Sequence, residues 1–417
     1  MKRVVVTGLG AITPIGNNIQ AYLEGLQQGI SGANLITRFD ATQFKTQFAC
    51  EVKNFIPDEL LDKKEARKMD LFTQFAMVAA EEAVVDAGIN QQLEQLDLDR
   101  IGVVWGSGIG GLHSLEKEIE EFILGNGTPR YNPFMIPKMI IDIAAGLISI
   151  KYGFRGINYA TVSACATSGQ SVANAFDHIR LGKNNIIITG GSEAAITKVG
   201  IGGFNAMKAM STRNDDYKTA SRPYDSERDG FVLGEGAGAL VLEELEHAQK
   251  RGAKIYAEVM GSACTSDAYH MTAPHPEGIS VSNVMKLALE EAQLTPEQVD
   301  YVNVHGTSTP LGDVAELKAI QKVFGESAYR MNISSTKSMT GHLLGAAGAI
   351  ESIACILAMN HHFVPPTINH FNDDPEIDPK LNLTFNQMQE REINVAMSNT
   401  FGFGGHNSTV IFKRFEN

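Results

Sequence analysis

Short β-branched runs recur between longer helical stretches along the whole chain, and this alternation limits the fold more than any single motif does. The runs are Val4–Val6, Ile101–Trp105, Ile186–Thr189, Ala239–Leu242, Ile255–Val259, Tyr301–Val304 and Thr409–Phe412. Such a pattern predicts an α/β protein whose sheets are largely buried. The clearest shift in composition is Glu243–Arg251 (EELEHAQKR), which predicts a solvated helix and a boundary between two halves, 1–250 and 251–417. Those halves look alike in outline. In the first, one strand ends in Gly106-Ser107-Gly108, and Asn158–Val162 runs into small residues and a helix. In the second, one strand ends in His305-Gly306-Thr307, and Asn332–Ser334 runs into Gly341-His342 and a helix rich in alanine and glycine. A weak repeat of this kind predicts two strand-to-helix corners facing one site.

Composition excludes several classes. The 417 residues carry 35 Lys plus Arg against 48 Asp plus Glu, a net charge of −13, which is the wrong sign for coating nucleic acid. With 43% hydrophobic and 20% charged residues, the chain can build a large core. Cys50, Cys165, Cys264 and Cys355 are widely spaced, with no CxxC pair, so neither a disulfide framework nor a structural zinc site is expected. The most apolar long stretch, Met135–Tyr152, is broken by Lys138 and Asp142, and the N-terminus enters a strand at once. A soluble, cytoplasmic protein is expected.

Cys165 lies in Ser163-Ala164-Cys165-Ala166-Thr167-Ser168-Gly169, after a strand and before a helix whose Val172, Ala175, Phe176 and Ile179 mark a buried face. At a helix N-terminus, free backbone N–H groups and the macrodipole favour a thiolate. A buried cysteine acting as a small hydrophobe is the plainer alternative. Two histidines shift that balance, His305 in Val304–Pro310 (VHGTSTP) and His342 in Ser334–His342 (SSTKSMTGH), each delivered at a strand end. Such ends face the crevice where ligands bind in α/β sheets. Either histidine alone could be structural. Together, a thiolate could take an acyl group while two neutral imidazoles hold an enolate oxygen. Asn399–Asn407 (NTFGFGGHN) is a glycine-dense turn able to lend an oxyanion-hole N–H.

Other motifs fail. Gly8-Leu9-Gly10 follows a strand as a dinucleotide fingerprint would, but position 13 is Thr. No serine has glycines at both −2 and +2, so a serine-hydrolase elbow is absent. His361 and His362 are adjacent and make a poor metal pair.

With Cys165, His305 and His342 go Val6-Thr7-Gly8, Thr13-Pro14, Gly106–Gly111 (GSGIGG), Ser221–Asp225 (SRPYD) and Asp229-Gly230-Phe231. In this order, with HGTST, KSMTGH and FGFGG, they resemble the elongating β-ketoacyl-[acyl carrier protein] synthases over essentially the whole chain, type II most closely. The resemblance implies a thiolase-like fold, two pseudo-duplicated βαβαβ halves in a layered α-β-α-β-α body. The half 1–250 would carry the nucleophile, and 251–417 both histidines. It implies a homodimer with acyl carrier protein as partner, and a decarboxylative Claisen condensation with malonyl-carrier thioester in type II fatty acid elongation.

It further implies that Cys165 is the nucleophile, that His305 and His342 stabilise the enolate, and that Lys337 and Glu351 support His342. Cys165 and Phe403 amides would form the oxyanion hole, Phe403 would gate, and Phe231 would line the carboxylate's exit. Ile109 would bound the acyl pocket, with Phe204, Thr307 and Thr309 binding substrate. No cofactor is required by the resemblance, although a structural Na⁺ or K⁺ at Asn303, Glu351 and Asn399 fits it. Because acyl carrier protein is also acidic, local cations must steer docking, and Lys64, Arg67 and Lys68, expected on one helical face, with Lys208 and Arg213, are the candidates.

Ser163, Val304 and Gly312 depart from residues commoner in the family, but none removes a reacting group. A degradative thiolase would need a second cysteine in Phe401–Asn407, and the starter-unit synthase an asparagine at position 342. A chain-length partner subunit usually lacks the nucleophile. A ketosynthase of polyketide assembly would carry nearly the same residues and stays open.

Overall fold

A computed structural model describes residues 1–416. Counting only the strands of its large sheet, the chain forms β1 (Val4–Ile12), β2 (Ile101–Gly106), β3 (Asn158–Thr161), β4 (Ile186–Glu193) and β5 (Gly236–Glu244). The series continues with β6 (Ala257–Ser266), β7 (Tyr301–Asn303), β8 (Asn332–Ser334), β9 (Val395–Gly402) and β10 (His406–Arg414). The spatial order is β8-β7-β9-β10-β6-β1-β5-β4-β2-β3.

Divided between β6 and β1, the sheet becomes two copies of one pattern, each ordered third, second, fourth, fifth and first strand. In both copies the second strand runs parallel to the third and fourth, whereas the fourth–fifth and fifth–first pairs are antiparallel. The seam is short, since only Val4–Val6 pair with Ala257–Val259. The weak sequence repeat is therefore a repeat of topology.

Six helices complete the layers: α1 (Leu71–Asp86), α2 (Ile143–Tyr152), α3 (Thr167–Arg180), α4 (Ile279–Ala292), α5 (Pro310–Phe324) and α6 (Ala347–His361). Strand alternation decides which residues meet which helix. Val103, Trp105, Ile186 and Ile188 face outward onto α1 and α2, while Val104 and Ile187 face inward. Helices α4 and α5 cover the other half's outer face. Between the half-sheets lie α3 and α6, whose Val172, Phe176, Ile350 and Ile353 share a cluster with Leu240, Val410 and Phe412. The result is the expected α-β-α-β-α body.

Every residue of α6 from Ala347 to Met359 is buried. Among the described residues, Leu344–His361 is the one stretch long and apolar enough to cross a membrane, and 89% of it is buried inside this body. Its composition reflects a position between two sheets.

Two local expectations are corrected. Glu243–Arg251 is only partly a solvated face: Glu246, Gln249 and Lys250 of its helix Leu245–Lys250 are exposed, but Glu243 is fully buried, its carboxylate held by Arg251 through two 2.6 Å bonds and by His247 at 2.6 Å. Burial favours protonation there, and these bonds win, holding its carboxyl below the usual range. The Gly8-Leu9-Gly10 run lies inside β1, where a Cβ at Gly8 or Gly10 would come within 2.2 or 2.0 Å of α1 carbonyl oxygens. Those glycines let α1 pack against the strand backbone.

Candidate active site

Cys165 occupies a 3₁₀ turn, Ala164–Ala166, that leads directly into α3. Ala164 carries φ +51°, a strained backbone for a residue with a Cβ, and it turns the chain sharply between strand and helix. The second half repeats the corner: Leu344–Ala346 is a 3₁₀ turn before α6, Leu344 has φ +46°, and Gly345 stands in the cysteine's place. The two corners touch, because a Cβ at Gly348 would lie 2.5 Å from the Gly169 nitrogen, and the Ala349 N–H donates to Ser168 Oγ at 2.9 Å.

The two histidines arrive from the second half. His305 follows β7 in a turn fixed by Glu316 of α5, whose carboxylate accepts the His305 and Gly306 N–H groups, both at 2.9 Å. His342 is held by its backbone, which donates to Val232 O at 2.7 Å and accepts from Gly234 N–H at 2.9 Å. The imidazole rings lie 5.2 Å apart at 88°. Phe231 meets His342 at 5.5 Å, and Phe401 meets His305 at 5.5 Å. Cys165, His305, His342, Phe231 and Phe403 line one cavity of about 590 Å³, so three side chains as far as 177 positions apart in sequence share one chamber.

Electrostatics sort their protonation states. Burial and then the Lys337 ammonium hold both imidazoles well below the ordinary histidine range, so both are neutral at pH 7. A neutral ring has one N–H to donate. Burial pushes the Cys165 thiol up to about 12, opposed by Lys337 and the Phe403 N–H. Desolvation thus works against the sequence expectation of a ready thiolate, while the α3 macrodipole acts alongside Lys337. With that shift the resting sulfur is a thiol at pH 7.

Around these groups lie carboxylates that the sequence reading did not single out. Glu316 is fully buried and raised to about 7 by burial, against its two backbone bonds. Asp313, also on α5, is raised to about 6 by burial, partly offset by Arg228, and accepts from the Tyr224 and Ser308 N–H groups at 3.1 Å each. Arg228 bonds Asp374 at 2.6 Å. Lys337 and Glu351 form a wholly buried ion pair. Phe401 in the cavity wall was also missed, although it stands two residues before Phe403.

The remaining expected residues divide. Phe204, Thr307, Thr309 and Lys208 line the cavity. Ile109 does not line it and is 37% exposed. Arg213 is tied to the Glu227 carbonyl at 2.8 Å. The expected helical face of Lys64, Arg67 and Lys68 is corrected, because that helix spans only Lys63–Ala66, Arg67 is its C-cap, and Lys68 pairs with Glu65 at 2.6 Å. A helix of four residues has too few turns to align three cations. Asn303 Oδ1 and Glu351 Oε2 are buried without a hydrogen-bond partner, whereas Asn399 Oδ1 accepts from Thr409 Oγ1 at 2.7 Å.

Comparison with known proteins places relatives beside this geometry. Residues 1–248 match the β-ketoacyl synthase N-terminal domain family, and residues 256–371 the corresponding C-terminal domain family. The chain is 50% identical over 415 residues to 3-oxoacyl-[acyl-carrier-protein] synthase 2 of Staphylococcus aureus (strain COL), covering 100% of this chain and 99% of that one. The synthase 2 of Synechocystis sp. is equally similar, 50% over 415 residues with the same coverage. Among solved structures, a β-ketoacyl synthase from Burkholderia phymatum STM815 superposes with a TM-score of 0.92 at 36% identity, covering all of both chains. A type II polyketide ketosynthase in complex with its acyl-carrier protein superposes at 0.91 and 34%, again over all of both chains.

Proposed function

The chain belongs to the β-ketoacyl synthase family, and from that premise we propose that Cys165, His305 and His342 are the reacting groups of its condensation. The enzyme is an acyltransferase of the condensing kind, extending acyl chains in type II fatty acid synthesis. The observation that carries the residue assignment is the single cavity in which one sulfur faces two neutral imidazoles.

The chemistry follows from the geometry. Cys165 sulfur attacks the carbonyl of an acyl-carrier thioester, and the tetrahedral oxyanion takes hydrogen bonds from the Cys165 and Phe403 N–H groups. The carrier's thiol leaves with a proton, and the acyl chain remains on Cys165. Gly402 is what lets the Phe403 segment approach, since a Cβ there would lie 2.8 Å from the Cys165 nitrogen. Malonyl-carrier thioester then loses carbon dioxide. Its thioester oxygen becomes an enolate oxygen, which accepts hydrogen bonds from His305 and His342. The enolate carbon attacks the acyl carbonyl, the C–S bond to Cys165 breaks, the departing Cys165 thiolate takes up a proton from solvent, and 3-oxoacyl carrier and the free Cys165 thiol result. Phe231, between Phe204 and His342, borders the path by which carbon dioxide leaves, and Phe403 gates the entrance.

Lys337 and Glu351 act through charge: the ammonium keeps both rings neutral, and the carboxylate compensates the ammonium. A Na⁺ or K⁺ beside Glu351 is part of this reading. The unpartnered oxygens Asn303 Oδ1 and Glu351 Oε2 are hard donors suited to such an ion, and Asn399 contributes less because its oxygen is engaged. The ion would balance charge near the buried pair.

An acyl carrier protein is the partner. We assign its docking to Lys64, Arg67, Lys208 and Arg213, with Lys68 released from Glu65, and place Ile109 at the far end of the acyl chain. Two copies of the chain would meet along the free edge of β3, where Val162 is 56% exposed beside the Cys165 corner. Four unpaired cysteines fit a cytoplasmic location. Intact-mass detection of acyl-Cys165, together with carbon dioxide release from malonyl-carrier by Cys165→Ala, tests the assignment. Full condensation by that variant overturns it. The polyketide reading is favoured by the ketosynthase neighbours at 33–34% identity, and the full-length 50% relatives outweigh it.

A further inference from the structure

Glu193 ends β4 and is fully buried, with no lysine or arginine paired to it among the described residues. Its carboxylate is nevertheless satisfied at both oxygens. Oε1 accepts from Ser107 Oγ at 2.9 Å and Ile109 N–H at 3.2 Å; Oε2 accepts from Gly108 N–H at 2.8 Å and Gly345 N–H at 3.0 Å. One side chain thus joins the turn after β2 to the corner before α6. The joint is tight, because a Cβ on Gly345 would lie 2.2 Å from the Gly108 nitrogen. Isolated buried carboxylates are expensive, and one kept in place by four donors fixes the geometry of whatever supplies them.

The turn it fixes lies against the nucleophile. A Cβ on Gly108 would meet the Ala164 carbonyl oxygen at 3.4 Å, and Leu112, just past the turn, packs on the apolar cluster that holds Cys165. Beyond Glu193 the chain continues into Ala195 and Ile196 of that same cluster. The histidines are anchored separately, His305 through Glu316 and His342 through Val232 and Gly234.

We propose that Glu193 is a positioning residue for the acyl side of the reaction, setting the Ser107–Ile109 turn so that the apolar wall beside Cys165 accepts chains of a limited length. This rests on Cys165 being the acyl acceptor. Loss of the carboxylate frees the turn, so chain selection relaxes while the malonyl half-reaction continues.

The test compares wild type with Glu193→Gln, which keeps the shape but offers one acceptor oxygen in place of two, and with Ser107→Ala, which removes one donor to Glu193 together with the acceptor of the Gly110 N–H. Acylation of Cys165 is followed by intact mass with carrier thioesters of six, ten and sixteen carbons, and decarboxylation of malonyl-carrier is measured on iodoacetamide-blocked enzyme. The expected result is at least a tenfold fall in selectivity between preferred and disfavoured chains for Glu193→Gln, in line with the penalty for small misplacements near a reacting centre. Ser107→Ala should shift the same way by less, and decarboxylation should stay within about threefold in both. Unchanged selectivity overturns the proposal, as does a parallel fall of both half-reactions, which would mark a purely structural role. If Glu193→Gln does not fold, Ser107→Ala decides. Failure of the wild type to form an acyl adduct on Cys165 would instead overturn the assignment of the nucleophile.

Discussion

The His305 and His342 rings meet edge to face, centroids 5.2 Å apart at 88°. In that arrangement two neutral rings can aim N–H groups at one oxygen without stacking on each other. Both belong to the second half of the chain, and the Cys165 sulfur that shares their cavity belongs to the first.

Replacing the nucleophile should separate the half-reactions. Cys165→Ala is expected to abolish 3-oxoacyl product while carbon dioxide release persists, and His305→Ala or His342→Ala should slow that release about 100-fold or more. Carbon dioxide capture from malonyl-carrier alone checks both outcomes.

Lys337 should set the acid limb of decarboxylation. Burial first, and then its charge, hold both imidazoles below their ordinary range, so removing the charge lets them protonate at higher pH. Lys337→Met is expected to move the acid limb upward in pH. It should also cost about 3 kcal/mol of stability, because Glu351 is left buried without its partner. Lys337→Met with Glu351→Leu should regain much of the stability and keep the shifted limb. pH–rate profiles and urea titrations separate the two effects.

Glu316 makes folding pH-dependent in a definite direction. Its folded value of about 7 lies above the ordinary 4.5, so the fold binds the extra proton between those values. The contribution to stability is complete below about 4.5 and is lost as pH rises through 7. The stability advantage of wild type over Glu316→Gln should shrink between pH 5 and 7, as denaturant midpoints at each pH would show.

Carrier docking is expected to depend on the assigned surface cations. Arg67→Glu with Lys68→Glu should raise KM for carrier substrates about tenfold, more steeply at low salt, and leave iodoacetamide alkylation of Cys165 unchanged. Steady-state kinetics across ionic strength check this.

Residues at strand ends were legible because their neighbours advertise them: a β-branched run passes into a reactive side chain flanked by small residues, as at Cys165, His305 and His342. The buried carboxylates were not. A glutamate inside a protein has the same letter as one on its surface, and Glu193 gives no periodic signal at the end of a strand. Glu316 did leave a trace, for Asp313, Glu316, Leu317 and Ile320 fall on one face of α5, and acids on an apolar stripe mark a buried task. The sequence placed Lys64, Arg67 and Lys68 on a helical face because spacing cannot show that Asp62 caps a helix ending at Ala66. Strand lengths were also underestimated, as at β1, where the glycines that admit α1 were placed after the strand and lie inside it.

The matching strand order of the two halves divides labour as well as shape. One twin corner keeps a sulfur and the other a glycine, and the single cavity draws on both copies: Cys165 and Phe231 come from the first, His305, His342 and Phe403 from the second. Cut between β5 and β6, the polypeptide would yield two fragments, each carrying only part of that cavity's lining until they reassociate.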